Sequence, residues 1–128
     1  MKILVVKPGL APEEAELPCT LSAMQEVVGG TIQVLYPFDD DVALVCHDEG
    51  KLLGLAGNRA LKDQEGNVYD VVCGTFFLCG APAESDSFES LSSQQVQQYF
   101  TRFQYPELFF LLDGKLMVWA IRPEGEDT

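Results

Sequence analysis

Asp113-Gly114 stands between two β-prone runs, residues 107–112 and 115–121. A two-residue Asp-Gly connection suits a tight hairpin turn, and such a turn joins antiparallel neighbours. The same arrangement recurs upstream. Asp39-Asp40-Asp41 separates residues 31–38 from 42–46, and Asp48-Glu49-Gly50 separates 42–46 from 51–55. Connections this short leave no room for a parallel crossover, which takes roughly a dozen residues or more. The chain is therefore committed to a mostly antiparallel sheet.

The remaining segments fill in around that constraint. Residues 2–6 read as a short buried strand, broken by Pro8-Gly9, and acidic residues 12–16 lead into a second short strand ending before Pro18. A helix opens at Thr20 or Ser22, with Ser22 and Gln25 spaced as a capping box, and Gly29-Gly30 stops it. Leu21, Met24 and Val28 form its apolar stripe. The strand at 31–38 ends near Pro37 or lies at an edge. Residues 56–66 read mainly as loop. Residues 68–78 read as one strand, with Gly74 marking a bulge or a close backbone approach. After a polar connection, Ser90 or Ser92 caps a second helix over about 92–103, striped by Val96, Tyr99, Phe100 and Phe103.

The expected fold class is α+β: a mostly antiparallel sheet with two helices packed on a face, and a C-terminal β-hairpin. Residues 1–122 are expected to form a single globular domain, and 123–128 an acidic flexible tail. Adjacent aromatic residues on a strand point to opposite faces, so Phe76 and Phe77 cannot share one, nor can Phe109 and Phe110. The second face is expected to lie under the helices, with a homodimer contact as the next choice.

Composition narrows the function. The 128 residues include 8 basic and 20 acidic side chains, a formal net charge of −12. So few cations cannot neutralise a run of phosphates, and direct nucleic-acid binding is not expected. The N-terminus offers four consecutive apolar residues, Ile3 to Val6, against the roughly 7–15 of a signal-peptide core. No run is long enough for a membrane span. A cytoplasmic location follows as the expectation, with Cys19, Cys46, Cys73 and Cys79 reduced and structural.

No catalytic constellation is visible. His47 is the single histidine and sits at a turn beside Asp48 and Glu49, where it reads as a solvated turn residue. Consecutive carboxylates on extended chain alternate in direction, so Asp39-Asp40-Asp41 reads as a turn rather than a metal site. The cysteines contain no CxxC pair, and no glycine pattern cradles a phosphate. No cofactor, metal ligand or catalytic residue is assigned. Asn58 and Arg59 stand out as the polar pair in a glycine-rich apolar stretch. The Arg can grip a carboxylate or phosphate bidentately, or form a structural salt bridge with an Asp or Glu, the preferred reading. With Glu49 and Lys51, they make the candidate binding surface.

Three segments carry a resemblance: MQEVVGGTIQVL (24–35), HDEGKLLGLAGNRAL (47–61) and DVVCGTFFLCG (70–80). They resemble a small bacterial and phage domain family of unknown function, in a pattern of Val-Gly-Gly, then Glu-Gly-Lys-Leu, then Asn-Arg-Ala. The resemblance spans about residues 1–80. His47 stands where Asn is common in that family, and Ala56 where Pro is common. The resemblance implies a setting in phages, conjugative elements and gut-type anaerobic bacteria, sometimes beside anti-restriction genes. It brings no catalytic residue and no cofactor.

Three functions compete on these grounds. The first is a non-enzymatic protein-binding or accessory module, contacting another protein or a second copy through the Glu49–Ala60 loop and exposed aromatics. The second is an acidic DNA mimic that occupies a nucleic-acid-binding protein, as anti-restriction inhibitors do. Its carboxylates must then be spaced like phosphates, about one charge per 1.7 Å of duplex axis, yet the acids here are scattered along the chain. The third is an enzyme that relies on paired carboxylates for general acid–base work.

Overall fold

The computed structural model describes residues 1–123. In chain order the elements are β1 (Lys2–Val6), β2 (Glu13–Glu16), α1 (Leu21–Val28), β3 (Ile32–Leu35), β4 (Val42–His47), β5 (Gly57–Lys62), β6 (Val68–Cys73), β7 (Phe76–Gly80), α2 (Ser93–Arg102), β8 (Glu107–Leu112) and β9 (Lys115–Ala120). The fold is α+β with a C-terminal hairpin. Five strands form one sheet in the order β2-β1-β7-β4-β3, with every pairing antiparallel. β5 pairs with β6 and β8 with β9 as two separate ribbons. All but the first residue of the tail expected over 123–128 lies outside the described residues.

Apart from Lys2 and His47 at their ends, β1, β4 and β7 are apolar throughout because both sides of each are buried. Side-chain alternation divides them between two clusters. Leu4, Val6, Leu44, Phe76 and Leu78 join Tyr99 and Phe103 in one. Ile3, Val5, Ala43, Val45 and Phe77 join Met24 and Val28 in the other. Phe76 and Phe77 thus separate as alternation requires. The apolar residues of α1 and α2 belong to different clusters, whereas a shared face was expected.

Several local expectations change. Residues 51–55 are not a strand. Hydrogen bonds from Leu53 N to Glu49 O, Gly54 N to Lys51 O and Leu55 N to Gly50 O coil this segment into successive turns. Its leucines read as strand, but Leu52 is 87% exposed. A strand forms instead at 57–62, within a stretch expected as loop, and it pairs with β6 rather than β4. The run 68–78 is two strands in two sheets. Gly74 lies at φ +85, and a Cβ there would come within 2.8 Å of the Leu55 side chain. That turn carries the chain from β6 into β7.

The caps change places as well. Thr20, not Ser22, caps α1 through its hydroxyl, which accepts from Ala23 N at 3.2 Å. The capping box belongs to α2: Ser92 Oγ accepts from Gln95 N, and Gln95 Oε1 accepts from Ser92 N. The hairpin forms where Asp113-Gly114 indicates, with φ of 52° and 79° at the turn and Leu112 opposite Lys115. Both angles are those of a type I′ turn.

Gly74→Ala is expected to destabilise the fold by about 2 kcal/mol, combining positive-φ strain with the Leu55 contact. Gly66→Ala, also at positive φ but with open space around it, should cost about 1 kcal/mol. Urea unfolding of the two variants measures the difference.

Candidate functional site

The four candidate residues divide into two pairs. Asn58 and Arg59 are 0% and 1% exposed. Asn58 Nδ2 donates to Val6 O at 2.8 Å and to Gly74 O at 2.9 Å. Arg59 Nε and Nη2 both donate to Phe103 O, at 3.1 and 3.0 Å. Nη2 also reaches Leu10 O at 2.6 Å, and Nη1 donates to Asn58 Oδ1 at 2.9 Å and Asn58 O at 3.2 Å. The two side chains therefore tie together the end of β1, the β1–β2 loop, the β6–β7 turn and the end of α2.

Among the described residues Arg59 has no carboxylate within salt-bridge distance. The structural salt bridge expected from the excess of acids is replaced by carbonyl groups. Burial pulls the guanidinium pKa down, and the nearby Glu107 charge acts against that shift. Phe103 is the C-cap of α2, so its carbonyl belongs to the negative end of a helix dipole. Carbonyl dipoles therefore serve the buried cation where an anion was expected. This arrangement is interior, with no free edge for an external phosphate or carboxylate.

Glu49 and Lys51 instead line a small surface hollow of about 120 Å³. His47, Asp70, Cys46 and Cys73 share its wall. Lys51 Nζ pairs with Asp70 Oδ1 at the rim. Glu49 N donates to His47 Nδ1 at 2.9 Å, which closes the turn after β4. Burial, followed by the charges of Asp70 and Asp48, pushes the Cys46 thiol up to about 11. A protonated thiol is a weak nucleophile. A hollow of this size accepts a few atoms at most. Glu49 and Lys51 are thus surface residues, and the structure does not bring them together with Asn58 and Arg59.

The acidic triplet is partly engaged in the fold. Asp40 Oδ2 accepts from Tyr99 OH at 2.9 Å, and Asp40 Oδ1 accepts from Asp41 N at 2.7 Å. Burial and this bond raise the Tyr99 pKa. Among the described residues no three His, Cys, Asp or Glu side chains are grouped to hold a metal ion.

Several exposed large hydrophobic side chains gather on the hairpin: Leu108, Leu111, Leu112, Leu116 and Trp119. One side of β8–β9 turns toward β5, with Glu107 Oε1 accepting from Ala60 N at 2.6 Å. On that side Phe109 lies so close to Gly57 that a Cβ there would meet its ring at 2.8 Å. Alternation places Leu108, Phe110, Leu112, Met117 and Trp119 on the other side. Leu108 is 51%, Leu112 56% and Trp119 62% exposed, and Phe110 meets Trp119 edge to face at 5.3 Å. The aromatic residues were visible in the sequence as a group. The leucines that complete this face were not, because ELFFLL does not show which side is buried.

Truncating Asn58 orphans buried groups, so Asn58→Ala should cost about 2–3 kcal/mol in urea unfolding. Arg59→Lys should cost at least about 2 kcal/mol, because an ammonium cannot reproduce the fork of donors. The thiols give a pH test. Folding raises the Cys46 pKa from the usual 9.0 to about 11, and burial, its largest cause, raises Cys79 to about 12. Their contribution to stability is therefore full below pH 9 and declines as pH rises toward 11–12, by up to about 1.4 kcal/mol per pH unit for each thiol. Unfolding midpoints across that range should fall, and less steeply in Cys46→Ala.

The model of one family matches residues 1–104, which include the buried Asn58–Arg59 pair, the hollow and α2 but stop short of β8 and β9. No curated protein matches the chain, and no solved structure matches it either. With most of its length matched, from β1 through α2, the chain belongs to the family described as a domain of unknown function, DUF3846.

Proposed function

We propose that the chain is a non-enzymatic protein-binding module whose contact surface is the outward side of the C-terminal hairpin. The observation that supports this reading is the group of half-exposed apolar side chains there, Leu108, Leu112 and Trp119, on a type I′ hairpin. Contiguous apolar surface of this kind marks interaction sites more often than solvent-facing structure. Aromatic residues, Trp above all, are the usual anchors of such contacts.

Charge indicates the chemistry of the partner. The chain carries a net charge of −12, and Asp113 stands at the hairpin tip. A protein with an apolar cleft bordered by Lys and Arg complements both features. The hollow beside Lys51 is small for an organic substrate. A phage or mobile-element setting is part of the proposal and rests on the sequence motifs alone. A cytoplasmic location is part of the same proposal.

The test uses Leu108→Ser combined with Leu112→Ser, both on β8 and both solvent-facing. The wild-type chain is expected to capture a basic protein from native lysate in a salt-sensitive manner, and the double variant to lose it while keeping its circular dichroism. Undiminished capture by the variant would move the contact to the acidic surface, as in DNA mimicry, and overturn this reading. Repeated failure of the wild type to retain any protein would overturn it too.

A further inference from the structure

β9 is less protected than the edges at β2, β3 and β5. An edge strand offers a row of unpaired N–H and C=O groups, and proteins usually blunt it with charge, proline or a covering segment. β2 carries Glu13, Glu14 and Glu16 along its edge. β3 is four residues long and is followed by Pro37. β5 gives the N–H of Ala60 to the Glu107 carboxylate. β9, with the sequence KLMVWA, has none of these: its one charge, Lys115, is at its first position. Among the described residues its strand partner is β8 alone.

The register shows which groups face outward. Ile121 N donates to Pro106 O at 2.7 Å, so the hydrogen-bonded pairs alternate from there through Leu108–Trp119, Phe110–Met117 and Leu112–Lys115. The intervening residues Leu116, Val118 and Ala120 therefore turn their N–H and C=O groups away from β8. A two-stranded ribbon is only marginally stable in water, and further strands are what consolidate it.

We infer that β9 pairs with β9 of a second copy of this chain, antiparallel about a two-fold axis at Val118, making one four-stranded sheet from two hairpins. In this register Leu116 pairs with Ala120 of the second copy and Val118 with its own equivalent. That yields three hydrogen-bonded pairs, or about six N–H···O bonds. Met117 comes opposite Trp119, a sulfur–aromatic neighbour pair. The two Lys115 residues fall at opposite ends, roughly 20 Å apart at strand spacing. No like charges oppose one another.

Glu107, Asp113, Lys115 and Arg122 balance to zero over 105–123, so repulsion between copies comes from the acid outside the hairpin, including Glu124, Glu126 and Asp127 next in sequence. Residual repulsion between copies makes this association strengthen as salt rises, opposite to the capture of a basic partner. The inference concerns the edge of the hairpin rather than its outward face, so either can fail without the other.

Sedimentation velocity of the full chain over a concentration series, at low and high salt, measures the association. Ala120→Pro removes one outward N–H at an exposed position without touching the β8–β9 bonds. The wild type is expected to double in mass with concentration, more readily in high salt, and Ala120→Pro to stay monomeric. Hydrogen exchange at the Leu116, Val118 and Ala120 amides should slow as wild-type concentration rises. A wild type that stays monomeric at its highest soluble concentration in high salt would overturn the inference. A dimer in which those three amides exchange as fast as in dilute protein would overturn it as well, by locating the contact elsewhere, even if Ala120→Pro were too poorly folded to compare.

Discussion

Arg59 is buried with its five N–H groups directed at three residues' oxygens, and much of the fold is arranged around that requirement. An unsatisfied guanidinium in the interior would cost several kcal/mol. Phe103 therefore has to end α2 where its carbonyl faces Arg59, and the Leu10 loop has to fold over the same group. Asn58 completes the arrangement by orienting Arg59 with its oxygen while its amide nitrogen holds Val6 and Gly74. One dipeptide thus fixes the position of four segments that are distant in sequence.

That clasp also explains how the exposed surfaces are held. β5 is anchored at Asn58 and Arg59, and the next residue, Ala60, receives the Glu107 carboxylate that seats the hairpin. Gly57, just before the clasp, leaves the space that Phe109 occupies. The Glu107–Phe109 end of the inward side is therefore set against β5, while Leu111 and Leu116 on the same side are 73% and 47% exposed, and the outward side is left as an apolar surface. Binding through a rigid element avoids much of the entropy lost when a loop orders on contact. The family match ends at residue 104, before this surface begins.

What could be read in advance followed the strength of local signals. The hairpin at Asp113-Gly114 and the opposed directions of Phe76 and Phe77 depend on backbone geometry alone, and both are present. The β5 strand was hidden because its polar residues are buried, against the usual partition. The leucines of residues 51–55 misled in the opposite sense: they are apolar yet exposed, within a coiled turn. Arg59 drew attention for a sound reason, its isolation in an apolar stretch. Its partners were unforeseeable, because backbone carbonyls leave no mark in composition. The binding pair Glu49 and Lys51 is at the surface, while Asn58 and Arg59 are inside, a division that only burial reveals.

By itself the sequence determined the β3–β4 and β8–β9 connections, the two helices and the net charge, because turn chemistry, apolar period and ionisable side chains are local properties. The tertiary structure decided which runs share a sheet, where the break at Gly74 sends the chain, and which polar residues are interior. It also decided which side and edge of the hairpin remain open. Those outcomes depend on contacts between residues tens of positions apart, such as Arg59 with Phe103 and Ala60 with Glu107. Their free energy exists only once the segments have met.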